Sequence, residues 1–235
     1  MTLGLIALGI IPSIVWLSIY LREDDRPEPN RFILKIFFLG ALMAPIAAGV
    51  EFLLIGSLKN FSFSPLLTNF LIFFVFVGIV EELAKFMAVK LGIERNSVFD
   101  EPADAMIYLI VSGLGFAALE NILALFNFTD ISRGVIAGEA FQIAGLRFIS
   151  STLLHVLASG IVGYSLAQKH FFLKKYSVLK GIIIAGFLHG TYNTLTLASD
   201  SFRKIIPTII VISLLGIMAI LVNSLFYKLK KDFYR

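Results

Sequence analysis

The sequence contains no cysteine, one tryptophan and three histidines among its 235 residues. The absence of cysteine excludes disulfide bonds, thiolate metal ligands and a cysteine nucleophile. Charged residues make up only 15% of the chain, whereas 58% of the residues are hydrophobic and the mean hydropathy is +0.89. A soluble domain cannot bury this much apolar surface, so the composition predicts an all-α, polytopic membrane protein whose partner is the lipid bilayer. The basic residues form no cluster with interleaved aromatics, which argues against a nucleic-acid partner.

Seven apolar runs are long enough to cross a bilayer as helices, which takes about 20 residues at 1.5 Å per residue. Their approximate bounds are Leu3–Leu21, Phe32–Gly56, Leu66–Lys90, Ala103–Phe126, Ile143–Gln168, Tyr176–Ala198 and Ile205–Tyr227. The first run is expected to be retained, because it has neither a basic segment before it nor a convincing cleavage site after it. The connections 127–142 and 200–204 are predicted to be polar loops, and the first could include a short interfacial helix. We expect one integral membrane domain over residues 1–235.

The distribution of lysine and arginine predicts the orientation of these seven spans. Alternate loops together with the C-terminal tail contain 13 basic residues, whereas the opposite loops contain four. Basic residues are enriched in short loops on the cytoplasmic side of a membrane. The sequence therefore predicts a protein of the cell membrane with its N-terminus outside and its C-terminus in the cytoplasm.

The third span carries the most unusual residues of the chain. Glu81 and Glu82 follow a stretch, 66–80, that has no charged residue. Ionised groups at membrane depth cost about 2.5 kcal/mol or more, so two adjacent carboxylates there predict a partner or a function. Lys85 is one predicted partner, because it lies four residues after Glu81 and three after Glu82 on the same helical face.

Polar residues of three other spans are predicted to reach a similar depth. Counted from each span's centre, Glu81, His155 and His189 lie within about 5 Å of the midplane. Glu120 lies about 9 Å toward the outside, and Asn193 follows His189 by about one turn. Such groups cost less when they face one another than when they face lipid. We therefore expect them to line a common cavity.

Other polar residues have a simpler structural interpretation, and a single intramembrane histidine or glutamate is often only a hydrogen bond between helices. Arg147 is expected to be a counter-charge for a carboxylate or an interfacial anchor. Asp104 follows a proline and is expected to cap the start of a helix. Glu51 and His170 are expected to be structural, and the small residues at 112–115 are expected to allow close helix packing.

Two imidazoles and a carboxylate can hold a divalent metal, and a second carboxylate can then take a proton from water. This division of labour is typical of metal-assisted hydrolysis. An amide such as that of Asn193 could stabilise an oxyanion. A Glu-His pair could also activate water without a metal, so these residues leave the cofactor open. Of the two adjacent carboxylates, Glu81 is favoured as the general base, because Glu82 has the tighter spacing to Lys85.

Four short motifs between residues 78 and 195 resemble those of PrsW-type intramembrane proteases, relatives of the CAAX prenyl protease and bacteriocin-processing superfamily. Residues 81–85 are similar to the E-E-x-x-K motif, and residues 116–121 are similar to F-x-x-x-E-N. His155 is similar to the third motif, and residues 189–193 resemble H-x-x-x-[DN].

The resemblance implies a membrane protease whose catalytic helices span about residues 66–198. It implies that the substrate is a single-span membrane protein, such as an anti-sigma factor undergoing its first, site-1 cleavage. The residues implied to be catalytic are Glu81, Glu82, Glu120, His155, His189 and Asn193. Zn²⁺ is the expected metal, with Glu120, His155 and His189 as its ligands. The wider superfamily usually has histidine at the position of Glu120, so this ligand set departs from the superfamily's pattern.

A secondary transporter coupled to protons or ions is the alternative from a different class, because transporters also concentrate carboxylates and histidines near the midplane. Many transporters show an internal repeat with broken helices in each half. Inspection reveals no such repeat in this sequence, so the protease is the favoured prediction.

Overall fold

The computed structural model describes residues 2–23, 25–128, 137–199 and 204–233, and all the regular structure in these residues is helical. The helices are α1 (Thr2–Tyr20), α2 (Asn30–Leu58), α3 (Pro65–Phe70), α4 (Val80–Gly92), α5 (Pro102–Phe128), α6 (Ala137–Ile149), α7 (Ser151–His170), α8 (Ser177–Ala198) and α9 (Ile205–Phe233). A 3₁₀ turn, Leu21–Glu23, follows α1, and a π-helical segment, Leu71–Ile79, joins α3 to α4. The predicted all-α class is confirmed.

Six helical stretches in the described part of the chain are long and apolar enough to cross a membrane. They are Thr2–Glu23, Asn30–Leu58, Pro65–Gly92, Pro102–Phe126, Ala140–His170 and Ile205–Phe233. Helices suit this environment because lipid offers no hydrogen-bond partner to an open backbone. The remaining predicted span is α8, whose 22 residues reach about 33 Å but include several polar side chains. The chain is thus a multi-pass membrane protein, and the span in α8 stays a prediction.

Helix α5 is the centre of the bundle. Every residue from 101 to 118 is buried, and the helix packs against α1, α2 and α7. Close approach depends on glycine here, since a Cβ on Gly113 would meet Ser159 of α7 and one on Gly115 would meet the Phe37 carbonyl of α2. The expectation that these small residues serve close packing is confirmed.

The outer helices present apolar side chains away from the bundle. In α9, for example, Ile206 and Ile220 are 73% and 71% exposed. Exposed apolar side chains of this kind suit hydrocarbon, since lipid chains are as apolar as the side chains themselves.

Two helices differ from their predicted form. The predicted fifth span is divided into α6 and α7, because the backbone of Ser150 is non-helical. The third span is continuous, as predicted, but nine of its residues are π-helical. Residues 129–136 and 200–203, in the predicted polar loops, lie outside the described residues. The described part of the first of these loops is helical instead, since α5 runs to Phe128 and α6 begins at Ala137.

Candidate active site

The site begins at the first turn of α4, directly after the π-helical segment. Glu81 and Glu82 are 5% and 0% exposed, and Lys85 is fully buried. The Lys85 ammonium donates to Glu82 Oε1 at 2.7 Å and to Glu81 Oε2 at 3.4 Å. The predicted helical pairing is therefore present, and Glu82 has the shorter ion pair. The ammonium therefore holds Glu81 less tightly than it holds Glu82.

Helix α8 brings His189 to this turn. The two elements approach closely at Gly186, where a Cβ would lie 3.0 Å from the Ile79 backbone nitrogen. His189 Nδ1 lies 3.0 Å from Glu82 Oε1, and because a carboxylate accepts, the ring donates from Nδ1. The other ring nitrogen, Nε2, lies 3.7 Å from Glu81 Oε2.

Helix α7 brings His155 to the opposite side of Lys85. The ammonium of Lys85 lies 2.8 Å from His155 Nδ1, and because an ammonium can only donate, Nδ1 is the acceptor. The Nε2 atom then carries the ring proton toward Glu120 Oε2, which lies 2.7 Å away. The two imidazoles meet edge to face, with ring centroids 5.2 Å apart. Phe116 packs against His155 and beneath the Lys85 ammonium.

Glu120 lies on α5 between His155 and Arg147. Its side chain is 30% exposed, and its Oε2 atom lies 3.8 Å from Arg147 Nη2. Arg147 also donates to the side chain of Asn121, which in turn donates to Thr152. The predicted counter-charge role of Arg147 is confirmed. These contacts join α5, α6 and α7 beside the two histidines.

A cavity of about 460 Å³ opens at this cluster. It is lined by the predicted residues Glu81, Glu120, His155, His189 and Asn193, together with Phe73, Val77, Arg147, Ser151, Tyr192, Thr196 and Leu197. Glu82 is not among the lining residues and lies behind Glu81 and His189. The residues that were expected to line a common cavity therefore do so, and Glu82 was not among them. Ser151 and Thr196 were not predicted to line the cavity, because serine and threonine hydroxyls in a membrane helix ordinarily bond to the helix's own backbone, and no spacing pattern pointed to Tyr192.

The cluster fits a metal ion in several respects. Donor atoms of Glu81, His155 and His189 all lie within 4.8 Å of one another. The bond from His189 Nδ1 to Glu82 is the carboxylate-histidine pairing that orients metal-bound imidazoles. Three carboxylates also face two permanent cations, Lys85 and Arg147, which leaves a net negative site. Of the two His155 nitrogens, Nδ1 lies 3.9 Å from Glu81 Oε2, and it could ligate a metal once the Lys85 ammonium no longer donates to it.

The group that meets within 4.8 Å differs from the predicted ligand set in one residue. Glu81, rather than Glu120, accompanies the two histidines. Glu120 instead contacts the imidazole ring of His155 and not that of His189. This difference could not be predicted, because depth along a span does not tell which way a side chain points around the helix axis.

A second acidic group, Glu28, Asp100 and Asp104, lies at the start of α5. Asp104 accepts hydrogen bonds from the backbone nitrogens of Asp100 and Glu101, so the predicted cap is confirmed. Glu28 accepts from the Tyr108 hydroxyl and ties the first loop to α5. These contacts assign the group to the structure of the helix start.

Comparison with known proteins decides the family. A sequence model described as PrsW family intramembrane metalloprotease matches residues 28–222. The chain belongs to the PrsW family. It is 31% identical to Protease PrsW of Geobacillus kaustophilus over 84% of this chain and 81% of that protein. It is 29% identical to Protease PrsW of Oceanobacillus iheyensis, over 97% and 96% of the two chains.

A third relative, Protease PrsW of Bacillus subtilis, is 28% identical over 87% of this chain and 88% of its own. No solved structure matches the chain significantly. The predicted resemblance is confirmed, and membership of the PrsW family identifies the protein as an intramembrane protease rather than a transporter.

Proposed function

We propose that this protease hydrolyses a peptide bond of a single-span membrane protein inside the 460 Å³ cavity, with Glu81 activating the water. The observation that carries the proposal is the meeting of Glu81, His155 and His189 within 4.8 Å on the cavity wall. A carboxylate between two imidazoles is a suitable site for general acid-base chemistry.

The two adjacent carboxylates have different proposed roles. Glu81 lines the cavity and has the longer contact to Lys85, so it is the general base. It takes a proton from water as the water oxygen bonds to the scissile carbonyl carbon. It then returns that proton to the amide nitrogen as the C–N bond breaks. Glu82 is a positioning residue, which holds His189 and Lys85 from behind.

The proposed metal is Zn²⁺, held by His155 and His189 with one carboxylate. When bound, it would supply Lewis-acid activation of the attacking water and of the substrate carbonyl. The carboxylate ligand expected from the sequence is Glu120, which lies 2.7 Å from His155 Nε2. The 4.8 Å group supports Glu81 as the alternative ligand. The two ligand assignments predict different zinc contents for Glu81→Gln. The variant should lose zinc if Glu81 is the ligand and should keep it if Glu120 is the ligand.

Asn193 is the proposed oxyanion donor. It lines the cavity one turn after His189, and a side-chain amide can donate to the oxygen that becomes negative during hydrolysis. Loss of a single oxyanion donor typically costs about 10²–10³ in kcat.

The proposed substrate is an anti-sigma factor or a similar protein with one membrane span, cut at its first site. Phe73, Val77 and Leu197 give the cavity an apolar wall, which suits a segment that leaves lipid to be cut. The proposed location is the cell membrane, with the N-terminus outside and the C-terminus in the cytoplasm, as the distribution of basic residues predicts. We propose that residues 66–198 form the catalytic part of one membrane domain.

The test is cleavage of purified single-span candidates, including anti-sigma factors, by the detergent-solubilised protein with and without a chelator. We expect a single cut within or next to the span, abolished by the chelator and restored by Zn²⁺. Chelator-resistant cleavage would refute the metal, and unchanged cleavage by a Glu81→Gln protein would refute the base.

A further inference from the structure

A second cleft lies away from the active site, where three helices end. Helix α4 ends at Gly92, α7 ends at His170, and α8 begins at Ser177. The cleft between them has a volume of about 770 Å³. Four lysines line it: Lys90, Lys169, Lys174 and Lys175. We call this feature the basic cleft.

The charge of the basic cleft is largely uncompensated. Lys169 lies 3.4 Å from Glu94 and is 49% exposed. Within the described residues, no carboxylate forms an ion pair with Lys90, Lys174 or Lys175. Such a concentration of one sign of charge attracts an anion, and the low dielectric of a membrane boundary strengthens the attraction.

Apolar side chains stand beside these lysines. Leu173 and Tyr176 are 83% and 74% exposed, and Leu179 is 56% exposed. Leu173 and Tyr176 have φ values of 54° and 61°, a left-handed conformation that L-residues seldom adopt. Strained backbone of this kind persists where the surrounding structure or a function requires it. The strained turn here displays an aliphatic and an aromatic side chain next to Lys174 and Lys175.

We propose that the basic cleft binds the phosphate headgroup of an anionic phospholipid. A phospholipid matches both features of the cleft, because its phosphate faces the lysines while its acyl chains lie along Leu179 and neighbouring apolar residues. Exposed aromatic residues and lysines at the ends of spans are typical of the level at which headgroups lie. Basic pockets between membrane helices are known to suit such headgroups.

The inference is independent of the chemistry proposed for the active site. The three helices that meet at the cleft do, however, carry Glu81, His155 and His189. A bound lipid would therefore link the ends of the helices on which these residues lie.

The test measures lipid binding by the full chain in detergent, using native mass spectrometry with short-chain phosphatidylglycerol and phosphatidylcholine. The test variant is Lys174→Gln/Lys175→Gln, whose side chains are both exposed. The matched control is Lys228→Gln/Lys231→Gln, which removes the same charge from an exposed position at the end of α9. Lys90→Gln is a second test variant, in helix α4 rather than in the turn between α7 and α8.

We expect wild type to prefer phosphatidylglycerol and the test variant to bind it roughly 25-fold more weakly. This figure takes about 1 kcal/mol, or about fivefold, for each basic residue near an anionic lipid surface. The Lys90→Gln protein should lose about fivefold by the same reasoning, and the control should bind as wild type does. Equal affinity for the two lipids, or an equal loss in the control, would overturn the proposal. Displacement by inorganic phosphate as effective as that by phosphatidylglycerol would also overturn it, because the site would then recognise a free anion.

Discussion

The adjacent carboxylates Glu81 and Glu82 should respond differently to the same substitution. Glutamine keeps the shape of glutamate and removes its charge. Glu82 Oε1 accepts bonds from Lys85 at 2.7 Å and His189 at 3.0 Å, and the residue is fully buried behind the cavity. Glu81 lines the cavity and lies 3.7 Å from His189 Nε2. Glu81→Gln therefore removes the proposed base, whereas Glu82→Gln loosens the orientation of His189.

The expected magnitudes follow from these positions. Loss of general-base assistance should lower kcat by about 10²–10⁴ at any metal concentration. Loss of a carboxylate that orients a metal-binding histidine should weaken metal affinity about 10–100-fold. Added Zn²⁺ should therefore restore much of the activity of Glu82→Gln and little of the activity of Glu81→Gln.

The assay follows cleavage of a labelled single-span substrate in proteoliposomes while the concentration of free Zn²⁺ is raised. Zinc content is measured on the same preparations. Glu94→Gln is the control, since this glutamate pairs with Lys169 far from the site. It should retain wild-type cleavage and wild-type metal content.

Any of three results would refute the reasoning. If saturating Zn²⁺ leaves Glu82→Gln as inactive as Glu81→Gln, Glu82 has a direct chemical role. If Glu81→Gln contains no zinc at any concentration, Glu81 is the third ligand, as the 4.8 Å group allows. Near-normal cleavage by both variants would remove the chemical centre of the proposal.

Three further predictions concern stability, packing and orientation. Lys85→Met should lower the free energy of unfolding, measured by denaturant titration, by about 3–5 kcal/mol, because it leaves Glu82 buried without its cation. Adding Glu82→Gln to this variant should recover part of the loss. Gly186→Ala should lower the free energy of unfolding by about 1–3 kcal/mol and slow cleavage, because the new Cβ would press on the Ile79 backbone. Gly216→Ala is the control and should be tolerated, because a Cβ there would have no neighbour within 4 Å. Thermal unfolding and cleavage rates are the measurements, and equal behaviour of the two variants would contradict the prediction. Reporter fusions near Lys174 should be cytoplasmic, and an external reporter would reverse the proposed orientation.

Much of the local structure could be predicted from the sequence, because the bilayer allows few alternatives. An apolar run of about 20 residues must satisfy its own backbone hydrogen bonds, so each such run predicts a helix. The pairing of Lys85 with Glu81 and Glu82 followed from helical spacing alone. The cap formed by Asp104 followed equally from its place after a proline. Four motifs in order also predicted the family that the comparisons then identified.

The lateral arrangement of the helices was decided only by the tertiary structure. Span boundaries place a residue along the membrane normal but leave the rotation of its helix about that axis open. Packing at Gly186 turned His189 toward Glu82, and the ammonium of Lys85 directed His155 Nε2 toward Glu120. The rotation of α4 about its own axis likewise places Glu81 on the cavity wall and Glu82 behind it, although the two carboxylates are neighbours in the sequence. Residues at equal depth thus acquired different surroundings because side-chain contacts between helices, rather than hydropathy, determine which faces meet.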